Sequence, residues 1–247
     1  MAKYDIVALT ETWLKEGITN AEVFQMEYEV YRQNRNYKLM GLDRGGEVLM
    51  AVRKNLQVTQ LSLSGIKDTD CDIGVIIRMP NKNRTLHVFV FYFQPNTSLG
   101  SYTRVCDILT IYFSNLSNTD DVLLLGDFNL PTFKTEHILQ NQVASNDHKI
   151  TTMYDFICVN DLTSHNKILN ISANTLDLVI SNRDTLDVER SDSIIAREDS
   201  FHPPLRITMP FGQKHILCVK KKNTLRPILL DSAITKRISK KCTIAQG

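Results

Sequence analysis

The amino-acid sequence predicts an α/β domain made of two packed β-sheets with helices outside them. Three observations carry this. Eight short runs rich in β-branched and aromatic residues read as strands. Two segments of helical periodicity are interleaved with those runs. At 247 residues, 43% of them hydrophobic, the chain can bury a sizeable core.

The elements follow in order. YDIVALT (4–10), YEVYRQ (28–33) and EVLMAVR (47–53) read as strands, with a loop marked by Gly41 to Gly46. DIGVIIRM (72–79) and LHVFVFYF (86–93) are strands separated by a loop at Pro80 to Asn83. A loop at Gln94 to Ser101 leads into a helix over SYTRVCDILTIYFSNL (101–116). Its Val105, Ile108, Leu109 and Tyr112 share one face, and Ser101 is the expected N-cap. DVLLLG (121–126) is a strand, residues 150–159 a second and weaker helix, and TLDLVIS (175–181) and LRITM (205–209) are strands. The domain thus runs over residues 1–209. Residues 210–247 read as a basic tail or linker, in which Leu230, Ile234 and Ile238 fall at the spacing of a short amphipathic helix.

Charge and cysteine usage exclude several classes. The net charge of +2 conceals a tail of +8 on a body of −6. That division fits either a nucleic-acid contact or a solvated connector. No apolar run reaches the length of a membrane-spanning helix, so no membrane partner is expected. The N-terminal MAKYDIVALTETWL lacks a signal-peptide layout. The five cysteines, Cys71, Cys106, Cys158, Cys218 and Cys242, form no CxxC pair. This argues for a reducing compartment and against a zinc site.

Polar residues gather at strand ends. Glu11 follows VALT, Tyr92 lies near the end of VFVFYF, Asp127 and Asn129 follow LLLG, Asp177 sits inside TLDLVIS, and His202 precedes LRITM. Any one of these carboxylates reads as well as a cap or a buried structural pair, because burying a lone charge is costly. Several at successive strand ends read better as one polar cleft. Their types suit phosphate-ester cleavage with a hard metal. Magnesium needs only one or two carboxylates, and Glu11 is a candidate. An Asp behind a His fixes its tautomer and favours the imidazolium, which suits Asp177 and His202. Tyr92 and Asn129 are neutral donors for phosphate oxygens, and Asp127 can position or deprotonate water.

DIVALTETWL, GGEVLMAVRKN, VFYFQPN, LLLGDFNLP, NTLDLVISN and HPPL follow one another in the order of the endonuclease/exonuclease/phosphatase superfamily, across residues 4–209. The chain most resembles the endonuclease domain of insect-type LINE (non-LTR) retrotransposons, the AP-endonuclease-like branch. The resemblance implies a four-layer α/β sandwich of two mixed sheets with outer helices and the active site at one sheet edge. It assigns Glu11 to the metal, Mg2+ or Mn2+, and Tyr92 to the phosphate. Asp127 and Asn129 would position the attacking water and the scissile phosphate, Asp177 would orient the histidine, and His202 is that histidine. Within LLLGDFNLP, Gly126 is expected to turn the strand, and a period of two to put Asp127 and Asn129 on one side with Phe128 on the other. Pro131 is expected to end the pairing.

Two departures stand out. The resemblance leads to the expectation that the family's first strand, which carries a metal-site Asn well upstream of Glu11, is missing here, because Met1 stands ten residues before Glu11. The family's Ser-Asp-His is here Ser200-Phe201-His202, with Asp199 the candidate substitute for the absent Asp. The function implied is a magnesium-dependent endonuclease that nicks target DNA by phosphodiester hydrolysis to prime reverse transcription. Its partners would be DNA and the reverse transcriptase domain of a parent polyprotein, and its place the nucleus. Arg53, Lys54, Arg78, Arg84 and the tail are the candidate DNA cations, though plain surface charge is the preferred reading of each. A catalytically inactive remnant is the alternative, and a phosphatase on a small phosphate substrate a third reading.

Overall fold

The structure, a computed structural model, describes residues 4–14, 17–33, 47–61, 63, 71–78, 84–134, 147–191, 199–210 and 228–230. The strands are β1 (Ile6–Thr10), β2 (Tyr28–Gln33), β3 (Val48–Arg53), β4 (Gln57–Leu61), β5 (Cys71–Arg78) and β6 (Thr85–Tyr92). They continue as β7 (Asp120–Asp127), β8 (Thr163–Ser164), β9 (Asp177–Ser181), β10 (Asp187–Arg190), β11 (Leu205–Thr208) and β12 (Ile228–Leu230). The helices are α1 (Asn20–Val23), α2 (Leu99–Phe113) and α3 (His148–Val159). No helix among the described residues is long and apolar enough to cross a membrane.

Two mixed sheets pack face to face, as the sequence predicts. One has the order β10-β11-β12-β1-β3-β2, the other β4-β5-β6-β7-β9-β8. Each contains a single parallel pair among its described strands, β1 with β12 and β6 with β7. The parallel β6–β7 step is bridged by α2, since parallel neighbours cannot be joined by a hairpin.

Strand periodicity sorts the apolar side chains into layers. Leu86, Val88, Val90 and Tyr92 of β6, with Leu123 and Leu125 of β7, meet Ile6, Ala8, Val48 and Met50 of the other sheet in the central core. Phe89 and Phe91, with Val122 and Leu124, turn the other way and pack on Tyr102, Val105 and Leu109 of α2 and Met153 and Ile157 of α3. Val7, Leu9, Leu49 and Ala51 line the outer face of the first sheet beneath Leu14, Phe24 and Tyr28. On that face the described helix is the single turn α1.

Several boundaries differ from the sequence reading. Helix α2 starts earlier, with Ser98 as N-cap accepting the Ser101 N–H, so Ser101 is inside the first turn. Strands β4, β8, β10 and β12 were not anticipated; the first three are short and polar, with no apolar stretch to mark them. Leu230, expected on an amphipathic helix, lies in β12, which sits between β1 and β11 and joins them into one sheet. The expected loops at 41–46 and 80–83, and Ile234 and Ile238, lie outside the described residues.

Candidate active site

Register builds the site. Tyr92 ends β6, Asp127 ends β7 and Asp177 begins β9, and the ladders pair Tyr92 with Asp127 and Asp127 with Asp177. Three neighbouring strands therefore place one polar side chain each in a single row. Asp127 has the parity of Leu123 and Leu125, and Asp177 that of Val179, so both face the gap between the sheets. Phe128 packs instead under the helices.

Gly126 does not turn the chain. It lies within β7 at φ 135°, and a Cβ there would come 1.9 Å from the Phe91 carbonyl oxygen. The glycine permits the close approach of β6 and β7 just before the row of Tyr92, Asp127 and Asp177. The ladder ends at Asp127, four residues before Pro131. Strand periodicity does not join Asp127 to Asn129 either. Asn129 adopts a left-handed φ of 47°, and its backbone N–H and side-chain Nδ2 each donate to Asp127, both at 2.9 Å. Nδ2 also donates to the Phe93 carbonyl at 2.6 Å. Both of its hydrogens are thus used inside the protein. Tyr102 closes the turn from below by donating its hydroxyl to the Phe128 carbonyl.

Glu11 arrives from the other sheet. It follows β1 at φ 51°, with Trp13 at φ 48°, both in a region that L-residues rarely occupy. Glu47 secures this bend. Fully buried at the start of β3, it accepts the Trp13 N–H at 2.8 Å on its carboxylate and the Thr12 N–H at 3.4 Å on its backbone oxygen. The bend presents Glu11 to the Tyr92 hydroxyl, which donates to the Glu11 carboxylate. That contact ties the edges of the two sheets together.

His202 enters on a short turn. Asp199 accepts the Phe201 N–H at 2.9 Å on its side chain and the His202 N–H at 3.1 Å on its backbone. The Asp199 carboxylate is thus engaged in capping its own turn. His202 Nδ1 meets Asp177 Oδ2 at 3.0 Å, and Nε2 lies 3.8 Å from Asp127 Oδ2. The six residues singled out in the sequence, Glu11, Tyr92, Asp127, Asn129, Asp177 and His202, therefore form one connected set.

The electrostatics follow from crowding. Burial, then the charge of Asp177, pushes the Asp127 carboxyl well above its ordinary range, and the pull of His202 and the Asn129 N–H does not undo this. Burial alone would lower the His202 pKa. The hydrogen bond to and charge of Asp177, followed by the charge of Asp127, outweigh it and lift the pKa to about 9. At neutral pH the imidazolium is the favoured form, held between two carboxylates.

The set fits a hard divalent cation. Carboxylate oxygens of Asp127 and Asp177 lie within 4.8 Å of each other, and Glu11 adds to the negative charge acting on Asp127. Asp177 Oδ1 is buried with no hydrogen-bond partner among the described residues. An orphaned carboxylate oxygen in an oxygen-rich cluster is what such a cation relieves.

Sequence reading missed several supports. Asn166 is buried and donates to the Asp177 backbone oxygen at 2.7 Å. Asn170 organises the loop beside His202. The run HNKILNISANT carries three asparagines four apart, a loop-building signal that was available. Glu47, at the head of EVLMAVR after two glycines, gave none. Four of the expected DNA cations lie away from the site, and the tail's cations lie outside the described residues. Arg53, Arg78 and Arg84 sit at or beside the strand ends opposite the site, as the pairings of Val52 with Ile6 and Arg78 with Thr85 show. Lys54 follows Arg53, and Arg84 is bound to Asp121.

No family model matches the chain, and no curated protein matches it. Solved structures do. The endonuclease domain of TRAS1, a telomere-specific non-LTR retrotransposon, aligns with a TM-score of 0.52 at 14% identity, over 76% of this chain and 79% of that one. The human Nocturnin catalytic domain aligns with a TM-score of 0.52 at 13% identity, over 83% and 73%. The 3′ phosphatase NExo from Neisseria, solved with a product DNA hairpin, aligns with a TM-score of 0.55 at 13% identity, over 81% and 87%. From its two packed mixed sheets and these likenesses, the chain has the fold of the endonuclease/exonuclease/phosphatase proteins.

Proposed function

We propose that the chain is a metal-dependent hydrolase of phosphodiesters, and specifically an endonuclease that nicks one strand of DNA. The observation that carries this is the row of Tyr92, Asp127 and Asp177, closed by Glu11 from one side and His202 from the other. A bound Mg2+ or Mn2+, held by Glu11 with help from the carboxylates of the row, would neutralise charge on the scissile phosphate.

The protein's own groups supply the rest. Asp127, its pKa raised by burial and by Asp177, is the base that accepts a proton from the attacking water. His202, kept as an imidazolium by Asp177, donates to a non-bridging phosphate oxygen from Nε2, where negative charge grows. Tyr92 orients Glu11 through its hydroxyl. Asn129, with both amide hydrogens occupied, holds Asp127 in place and leaves the phosphate to others.

The finer assignment rests on sequence motifs. ETWL and LDLVIS resemble the retrotransposon branch. On that reading the nick primes reverse transcription in the nucleus, and a reverse transcriptase domain is the partner in the parent polyprotein.

The test is nicking of supercoiled plasmid. Magnesium should support it and EDTA abolish it, and Asp127→Ala and His202→Ala should each reduce it by about 10²–10⁴-fold. A folded protein that releases phosphate from a 3′-phosphorylated strand but leaves plasmid intact would favour the phosphatase reading. One that does neither would favour the inactive remnant.

A further inference from the structure

Simple alternation would put the Glu11 carboxylate on the wrong face of its sheet. In β1, Ile6 and Ala8 face the central core, and Val7 and Leu9 face the outer layer. A strand continued by one residue would send Glu11 outward with Leu9. The ladder to β3 stops just before it, where Thr10 pairs with Val48. Glu11 then takes its φ of 51°, and its carboxylate meets Tyr92, whose side chain belongs to the central core. The left-handed turn therefore carries this side chain from one face of the sheet to the other.

Such a turn needs a support, because a left-handed backbone crowds the Cβ of Glu11 and again that of Trp13. Glu47 supplies it from the head of β3. Its carboxylate accepts the Trp13 N–H at 2.8 Å, and its carbonyl accepts the Thr12 N–H at 3.4 Å. Its side chain is wholly buried. Burying a carboxylate is expensive, and a neutral Asn or Ser caps an ordinary turn. Arg32 of β2 stands close by. Burial lowers its pKa while the charge of Glu47 opposes this, and its Nη1 donates to the Ile18 carbonyl at 2.7 Å. We infer that Glu47 is a positioning residue for the metal site: it locks residues 11–13 so that the Glu11 carboxylate stands in the gap between the sheets before any cation arrives. The inference rests on the proposed metal-dependent hydrolysis. A ligand already in place loses less freedom when the cation binds, so Glu47 sets the metal affinity without touching the metal.

The first test is Mn2+ affinity, read from the paramagnetic resonance of the free ion at a temperature where circular dichroism shows the variants folded. Glu47→Gln keeps an oxygen at the same reach and should bind Mn2+ within about threefold of wild type. Glu47→Asp keeps the charge but is one methylene short. It should bind about 10–100-fold more weakly, as should Glu47→Ala. Wild-type affinity in a folded Asp or Ala variant, or equal losses in the Gln and Ala variants, would overturn the positioning role and leave the metal-dependent reading intact. The second test needs no variant. Trp13 is the only tryptophan in the chain, so isotope labelling of tryptophan alone gives a single backbone amide signal. That amide should resist hydrogen exchange in the metal-free chain, and Mg2+ should add little. Protection that arises only with Mg2+ would overturn the inference. A wild-type chain that binds no Mn2+, or binds it equally well after Glu11→Ala, would overturn the metal-dependent reading as well.

Discussion

Single side chains carry two of the sharpest expectations. Gly126→Ala places a Cβ 1.9 Å from the Phe91 carbonyl and leaves an alanine at φ 135°. The substitution should cost about 3–5 kcal/mol in chemical denaturation, because neither backbone nor neighbouring strand can give way cheaply. His87 provides a pH signature away from the site. Burial lowers its pKa, against the opposing charges of Asp120 and Asp121, and its Nδ1 is shared with the Tyr112 hydroxyl at 2.7 Å. The folded pKa lies below the unfolded value of 6.5, so below that value the unfolded chain binds more protons. Stability from this group is present above pH 6.5 and declines as pH falls through the folded pKa. Melting temperature should therefore drop on acidification, and less steeply in a His87→Gln variant.

Strands and turns divide what could be read in advance from what could not. Alternation and apolar length revealed β1, β3, β6, β7 and β9, because burial of their side chains writes a period of two into the sequence. The strands β8 and β10, with two and four residues, are defined by their neighbours' open hydrogen-bonding groups and leave no such trace. All six residues of the candidate site, which the structure brings together, were singled out from the motifs, yet the way they meet was not legible. The left-handed conformations at Glu11 and Asn129 are imposed by Glu47, Tyr92 and Phe93, residues remote in sequence. The strand β12 was hidden for a related reason: Ile228–Leu230 gains its state only from β1 and β11 on its flanks. Removing residues 211–247 should leave those two strands with unpaired edges. The shortened chain should melt at lower temperature and aggregate on heating, as read by calorimetry and light scattering.

Across the molecule, the candidate site and a buried ion-pair cluster occupy opposite ends of the sheets. The far end holds Asp121, 1% exposed, clasped by Arg84 at 2.7 Å and by Arg183 at 3.5 Å. It lies about 20 Å from Asp127 of the row, the rise of the six residues that separate the two along β7. Arg84→Ala leaves the buried Asp121 charge with Arg183 alone and should cost about 1–3 kcal/mol of stability. Nicking by the folded fraction should be unchanged, as measured per active molecule at a temperature well below melting. A large loss of activity without loss of stability would instead return Arg84 to the DNA surface. The row itself makes the two sheets a measuring device. Its members are set by counting residues along two hydrogen-bonded ladders, so their positions are integers. Replacing one apolar residue of β7 by another leaves that count alone. Deleting a single residue between Leu123 and Gly126 changes it by one, and Asp127 rotates from the cleft to the helix side while its chemistry stays the same. Mutational drift in this protein is thus tolerant of spelling and intolerant of length.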